Sequence, residues 1–233
     1  MMRRPRIAFV GIGQSPRDDV MPSMLAEIGQ PIDADDIGLL DGLSDVELAE
    51  LAPVGDEYPF VARLRGGNHG IFSRAQIEVR LEQRLHALDK QGYDAIVVMC
   101  TGTRIPRLQQ TPMFEAQRIV DAGAAALAAN FNRLGVVVPL EKQARELHLA
   151  YEVNVPVETA HASPYTRDRF AQAGKALAQC DLVILHCMGY TAEMQAEVSR
   201  HAPGIVLRAN QLVASALRCV INAIQSTQDR GSS

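Results

Sequence analysis

The chain of 233 residues contains no tryptophan, and aromatic residues make up only 5% of it. Its 23 basic and 27 acidic side chains are scattered, the net charge is −4, and no block of lysine or arginine occurs. A nucleic-acid groove combines a basic track with aromatic platforms on which bases stack. The composition therefore argues against a nucleic-acid partner.

Long apolar runs are also missing. No stretch of 18 apolar residues occurs, so we expect no transmembrane helix and no membrane partner. The first ten residues hold three arginines and a short strand-like run, without the apolar core and small-residue cleavage site of a signal peptide. We expect a cytoplasmic protein. With 47% hydrophobic and 21% charged residues, the composition is typical of a globular chain with one large or two small domains.

Cysteine is scarce and does not cluster. The four cysteines lie at 100, 180, 187 and 219, without a Cys-x-x-Cys pair, and the six histidines supply no metal-like spacing. We expect neither a disulfide scaffold nor a metal site. Cys180 precedes a predicted strand and Cys219 lies inside the last predicted helix, so we assign both to packing.

Motifs for nucleotide cofactors are incomplete. Gly11 and Gly13 follow the first predicted strand, but Pro16 occupies the third glycine position of a dinucleotide fingerprint, where it prevents close helix packing. No phosphate-binding P-loop and no Gly-x-Ser-x-Gly elbow occurs. We therefore expect no cofactor.

The remaining pattern alternates strands and helices, which predicts an α/β fold. Continuous apolar runs at 7–12, 94–99, 134–138 and 182–186 are typical of strands buried on both faces of a parallel sheet. Residues 58–72 read as an inserted hairpin around a Gly-Gly-Asn turn. The predicted helices cover 73–92, 111–130 with Pro112 at the first helical position, 141–151, 165–179, 191–201 and 209–224.

A faint internal repeat relates the two halves of the chain. Residues 93–102 match residues 180–189 in order: an aspartate, a buried strand, a cysteine, and a glycine two positions later. Cys100 and Cys187 thus end equivalent strands, where ligands bind in open parallel sheets. If the halves face each other, one thiolate can remove a proton beside a carboxylate while the other thiol returns a proton to the opposite face. This chemistry needs no cofactor.

Several neighbours of the cysteines have two readings. A cysteine at a strand end is commonly a packing residue, although matching positions in a repeat weaken that reading. Helix N-termini, such as one near Thr191, could lower the thiol pKa from its free value of about 8.5. His186 and Cys187 are adjacent at the end of a predicted strand and should point to opposite faces, which argues against a Cys–His dyad. Arg104 could hold a second carboxylate, or could simply be exposed.

The cysteine segments carry a family resemblance. Residues 100–103, Cys-Thr-Gly-Thr, resemble the first cysteine motif, Cys-Asn-Thr, of the aspartate/glutamate racemase superfamily. Residues 186–190, His-Cys-Met-Gly-Tyr, look like the second motif in its hydantoin racemase form, Gly-Cys-Ala-Gly-Met. With the opening Gly-Ile-Gly at 11–13 and the Glu-Leu-Ala-rich hairpin region, essentially the whole chain is similar to the AroM family of that superfamily.

The resemblance implies two pseudo-symmetric domains, each a mainly parallel sheet flanked by helices, with the site between them. The first domain would comprise 1–111 plus 208–233, because the last helix returns to it, and the second would comprise 112–207. Proton transfer by Cys100 and Cys187 would be cofactor-independent and would act on a small carboxylate or cyclic amide. A homo-oligomer is compatible with this reading.

The resemblance also implies a set of binding residues. Ser15 matches a serine that touches the substrate carboxylate in relatives, and the turn after the second half's opening strand lines the pocket. Arg17, with Asp18 and Asp19, could instead cap the first helix, and Glu141 could orient a substrate amine or favour a helix N-terminus. The predicted binding set is Gln14, Ser15, Arg17, Thr101, Gly102, Thr103, Pro139, Glu141, Gly189 and Tyr190.

The leading hypothesis is a racemase, epimerase or isomerase in which two cysteines exchange a proton. Three departures from the superfamily argue against aspartate or glutamate: Gly102 stands where asparagine is frequent, no Thr-His pair follows Cys187, and no acidic residue directly follows the first strand. One alternative is a thiol-dependent decarboxylase, and another is a small-molecule binding or regulatory protein without turnover. The retention of both cysteines favours an enzyme.

Overall fold

The computed structural model describes residues 3–231, with side chains described up to residue 226, and contains two four-stranded parallel sheets. The first sheet has the order β2-β1-β5-β6, and the second has the order β8-β7-β9-β10. The first sheet consists of β1 (Arg6–Gly11), β2 (Asp33–Gly38), β5 (Ala95–Val98) and β6 (Met113–Glu115). The second consists of β7 (Leu134–Val138), β8 (Val157–His161), β9 (Leu182–Leu185) and β10 (Ile205–Arg208).

The two sheets repeat one topology. In each sheet the opening strand lies beside the strand that leads into a cysteine, with one edge strand on either side. Both central pairs are buried except at Arg6, the first residue of β1, as the continuous apolar runs indicated. The predicted fold class, two pseudo-symmetric parallel-sheet units flanked by helices, is confirmed.

Helices cover both faces of each sheet. They are α1 (Met21–Ile28), α2 (Asp45–Glu50), α3 (Arg74–Leu88), α4 (Ala116–Ala128), α5 (Glu141–Arg145), α6 (Phe170–Ala176), α7 (Ala192–Ser199) and α8 (Ala209–Gly231). The inner faces of both sheets share one apolar core with α1, α4 and α8. The outer face of the first sheet packs on α3 and the hairpin, and that of the second packs on α6 and α7.

The shared core bears on the proposed domain limits. Helices α4 and α8 follow the equivalent edge strands β6 and β10, and they pack against each other. Strand β6 pairs with β5 in the first sheet, although the sequence reading placed residues from 112 in the second domain. The boundaries 1–111 plus 208–233 and 112–207 stay predictions.

A β-hairpin forms the most obvious difference between the halves. Strands β3 (Pro59–Arg63) and β4 (His69–Ser73) pair antiparallel around a short turn, Arg65–Gly67. The hairpin rests on the loop after β1, where the Gln14 N–H donates to the Arg63 carbonyl at 2.9 Å. A Cβ at Gly13 would lie 2.1 Å from the Arg63 carbonyl oxygen, so this contact requires glycine.

Three predicted helices differ from the structure. The helix expected from Thr111 begins only at Ala116, because Met113–Glu115 forms the edge strand β6. The helix expected over 141–151 ends at Arg145. The helix expected over 165–179 is restricted to α6, since Arg167 and Arg169 adopt left-handed φ angles of 56° and 65° that interrupt it. No helix in the described range 3–231 has the length and apolarity needed to cross a membrane.

Candidate active site

A cavity of about 180 Å³ lies between the two halves, at the carboxyl ends of the central strands. The loop after β1, the hairpin and the turn after β5 line one side, and the turns after β7 and β9 line the other. Cys100 and Cys187 both line this cavity, and both are partly accessible. The topology thus brings the two predicted thiols to one space from equivalent positions of the two halves.

Each thiol is followed two residues later by a glycine. The Gly189 N–H donates to the Cys187 sulfur, with 3.5 Å between nitrogen and sulfur, and the Gly102 N–H opposes the rise in the pKa of Cys100. An aromatic side chain packs closely against each glycine. A Cβ at Gly102 would lie 2.5 Å from Cε1 of Phe60, and one at Gly189 would lie 3.1 Å from the Tyr165 hydroxyl oxygen. The repeated Cys-x-Gly spacing therefore places a closely packed glycine after each thiol.

The thiols are harder to ionise than the sequence indicated. Burial raises the pKa of Cys100 to about 12, assisted by the negative charge of Cys187 and opposed by the Gly102 N–H and Arg74. Burial also raises the pKa of Cys187, against the Gly189 N–H and Arg17. The expectation of a lowered thiol pKa is wrong, because desolvation in the cavity outweighs the nearby donors and cations.

Four arginines line the cavity, and all come from the first half: Arg17, Arg63, Arg74 and Arg104. Arg17 donates from Nε and Nη2 to both carboxylate oxygens of Asp19, at 2.9 and 3.0 Å, while Arg63 lies 3.8 Å from the same carboxylate. Burial by itself lowers the pKa of Arg17, but Tyr165 and Asp19 outweigh it and the pKa is raised, so the guanidinium stays charged.

The second arginine pair surrounds another carboxylate. The Arg74 Nε donates to Glu78 at 3.0 Å, and the Arg104 backbone N–H donates to the same oxygen at 3.2 Å. The Arg74 guanidinium also lies 5.7 Å from the ring centre of Tyr58 and 5.8 Å from that of Phe60, within cation–π range. These rings hold Arg74 on the Cys100 side of the cavity, while Arg17 acts on Cys187.

Half of the predicted binding residues reach the cavity. These are Arg17, Thr101, Gly102, Pro139 and Gly189. The Thr101 hydroxyl donates to the His186 carbonyl at 3.0 Å, which links the two cysteine turns. Arg17 also accepts the N–H of Met21 at its carbonyl, so it lines the cavity and helps to begin α1.

The other five lie outside the cavity lining, and their side chains have other partners. Gln14 joins the Leu40 carbonyl to the Arg65 N–H, and the Ser15 hydroxyl donates to Asp41. Thr103 is fully buried and donates to Glu115, Glu141 is exposed and paired with Arg145, and the Tyr190 hydroxyl donates to the Ala162 carbonyl. The structure shows no contact of these side chains with the cavity, and their assignment to substrate binding stays a prediction.

The cavity includes residues that the sequence analysis missed. Tyr165 comes from the irregular segment before α6, and Arg63 and Arg74 come from the hairpin and the start of α3. No local pattern marks them, because tertiary folding brings them to the site. His186 lines the cavity beside Cys187, because β9 ends at Leu185 and the alternation of a strand no longer applies. Among the residues with described positions, no group of three or more His, Cys, Asp and Glu side chains is placed to hold a metal ion.

Comparisons with known proteins agree with the fold. The family model described as AroM protein matches residues 7–221. Glutamate racemase from Francisella tularensis subsp. tularensis SCHU S4 in complex with D-glutamate has a TM-score of 0.62 at 16% identity, covering 95% of this chain and 82% of that one. Allantoin racemase from Pseudomonas fluorescens gives 0.53 at 14%, covering 94% and 91%. Unliganded arylmalonate decarboxylase gives 0.54 at 17%, covering 92% of each chain. A search of curated proteins finds no match.

Proposed function

The chain belongs to the AroM family, and from that premise we propose that it is a cofactor-independent racemase or isomerase of a small carboxylate. This proposal rests on the observation that Cys100 and Cys187 line one cavity, each at the end of an equivalent strand of the two repeated sheets. Packing does not require a partly accessible thiol at both of these positions. Two opposed thiols do serve proton transfer to and from the two faces of one carbon.

The proposed reaction balances without a further reactant. A thiolate takes the proton from the α-carbon, so the C–H bond breaks and an S–H bond forms. The opposite thiol then releases its proton to the other face of the carbon and becomes the thiolate. The reaction needs one ionised and one protonated sulfur. The charge of Cys187 raises the pKa of Cys100, and this coupling disfavours ionisation of both thiols together.

The charges around the cavity favour a carboxylate over a neutral cyclic amide. Arg17 and Arg63 share the single carboxylate of Asp19, and Arg74 and Arg104 flank the single carboxylate of Glu78. The four arginines line the cavity, whereas the carboxylates of Asp19 and Glu78 do not. Glu146 also lines the cavity, but Lys142 lies 3.8 Å from it. Fixed cations in a partly desolvated space stabilise both a bound carboxylate and the negative charge that develops when the α-proton leaves.

The test is incubation of the purified protein in D₂O with amino acids, hydantoins and malonates, followed by NMR. The proposal predicts deuterium at the α-carbon together with inversion for at least one carboxylate. Loss of CO₂ without inversion would instead identify a decarboxylase, and binding without exchange would identify a binding protein. Either result would contradict the proposal. Cys219 is exposed on α8, so its assignment to packing is wrong, and the Cys219→Ser variant is the matched thiol control.

A further inference from the structure

Gln117 and His186 line one wall of the same cavity, and both contact the buried carboxylate of Asp121. Asp121 is fully buried on α4, and its Oδ1 lies 2.7 Å from the His186 Nε2. Its Oδ2 accepts a hydrogen bond from the Gln117 amide nitrogen, one helical turn earlier, and from the Ala150 N–H at 2.7 Å. The carboxylate is thus surrounded by donors, and two of them belong to cavity-lining side chains.

Asp121 fixes the orientation of both side chains. A carboxylate only accepts hydrogen bonds, so the Gln117 amide must turn its nitrogen towards Asp121, and a neutral His186 ring must carry its proton on Nε2. With the His186 ring neutral, the atoms left over, Oε1 of Gln117 and Nδ1 of His186, are both acceptors. Neither has a hydrogen-bond partner within the described part of the protein.

These two acceptors face the cavity. Gln117 is only 7% exposed and His186 only 4%. Across the described residues, every fully buried side-chain nitrogen or oxygen has a hydrogen-bond partner. The two unpaired atoms must therefore belong to the small accessible part of each side chain, and both side chains line the cavity. Together they form a site with two hydrogen-bond acceptors and no donor from the described part of the protein.

We propose that Gln117 and His186 bind an N–H donor of the substrate, an ammonium group or an amide N–H. The inference rests on the proposed function, since it names the substrate class of the same site. The arginines of the first half receive the carboxylate, and the acceptor pair receives the nitrogen, with the negative charge of Asp121 behind it. The substrate is then an α-amino acid or an N-acylated relative rather than a malonate. Glu141, which the sequence offered for this role, lies outside the cavity.

The experiment compares matched ligand pairs by calorimetry at pH 7. Each α-amino acid is paired with the deamino acid of the same carbon skeleton, and each N-acetyl amino acid with its N-methylated form. We expect at least one amino or N-acetyl compound to bind about tenfold or more tightly than its partner, as for a hydrogen bond to a polarised buried acceptor. The first set of pairs tests an ammonium donor, and the second tests an amide donor.

Two variants test whether Gln117 and His186 cause the tighter binding of the N–H compounds. Gln117→Leu and His186→Phe should bring the affinity ratio close to one while the deamino or N-methylated compound binds as before. Gln143→Leu is the matched control, because the Gln143 amide also lines the cavity but bonds to the Pro59 carbonyl and the Leu140 N–H. It should leave the ratio unchanged, even if the affinities for both compounds fall.

Two results would overturn the inference: no preference in any pair, including no binding at all, or a preference that survives both substitutions. If the variants do not fold, the ¹⁵N spectrum of the His186 ring in the unmodified protein decides. It must report the Nε2–H form and a shift of the Nδ1 signal only with the N–H compounds. Because binding is measured without turnover, a clear preference with no α-deuteration would reject the proposed function and retain the acceptor pair.

Discussion

The two halves of the molecule both bring a thiol to the cavity, the pair proposed to transfer the proton, but they differ in the other side chains that line it. Each half places a thiol after the third strand of its sheet, followed two residues later by a glycine. The first half alone carries the inserted hairpin and all four cavity arginines, whereas the second contributes one acidic residue, Glu146, and uncharged groups such as Tyr165 and Gln143. The thiols are therefore repeated in the two halves, whereas the arginines of the cavity lie on one side only.

The largest loss of activity should come from replacing either of the two cavity thiols. Cys100→Ser and Cys187→Ser should each lower α-proton exchange with inversion by about 10³-fold or more, because a serine hydroxyl is a far weaker acid and base. NMR in D₂O measures the exchange. Cys219→Ser should keep the parent rate. Substantial inversion by either the Cys100→Ser or the Cys187→Ser variant would show that the replaced thiol is not required, and would contradict equivalent roles for the two.

A smaller effect should follow from weakening the charged side of the cavity. Arg74→Gln should reduce kcat/KM by about 10- to 100-fold, since a charge-assisted hydrogen bond to a carboxylate is lost. Arg80→Gln, an exposed change on the same helix, should leave kcat/KM within twofold of the parent value. Equal losses in the two variants would contradict a binding role for the first half's arginines.

Alanine substitution of the two glycines that follow the thiols should lower stability by different amounts in the two halves, because the two sites are packed to different degrees. Gly102→Ala should lower the free energy of unfolding by about 1–3 kcal/mol, because its Cβ would meet the Phe60 ring at 2.5 Å. Gly189→Ala should cost less, since its contact with the Tyr165 hydroxyl oxygen would be 3.1 Å. Urea denaturation measures both. A larger loss for Gly189→Ala would reverse the expected order.

The smallest effect concerns alkaline stability. The folded pKa of Cys100 lies above its unfolded value, so its contribution to stability is complete below pH 9 and is lost as the pH rises towards 12. In this window the free energy of unfolding of the parent should fall faster than that of Cys100→Ser, by at most about 1.4 kcal/mol per pH unit. Urea titrations at pH 8 and pH 10 give the difference. Parallel pH dependence in the two proteins would show that the thiol ionises freely.

Much of the fold could be predicted from local sequence signals. The apolar runs at 94–99, 134–138 and 182–186 predicted the buried strands, and the repeated Cys-x-Gly spacing predicted that the first and third of them are equivalent. The prediction failed where tertiary contacts override local preference. Residues 113–115 have a helix-like start with Pro112, but they complete a sheet edge beside β5.

The candidate site was only partly visible in the sequence. Cys100 and Cys187 could be found because they end equivalent strands. Arg63 and Arg74 could not, because the hairpin and α3 reach the cavity through pairing across the fold. Gln117 and Asp121, four residues apart on one helix, were the one detectable signal that the sequence analysis did not use.

The most direct test of the central claim is the position of the label when one enantiomer of a substrate reacts in D₂O. At low conversion, the account predicts deuterium in the inverted product and almost none in the remaining starting enantiomer, because different sulfur atoms serve the two faces of the α-carbon. Equal labelling of both enantiomers from the first time points would mean that a single group removes and returns the proton, and would contradict the two-thiol mechanism.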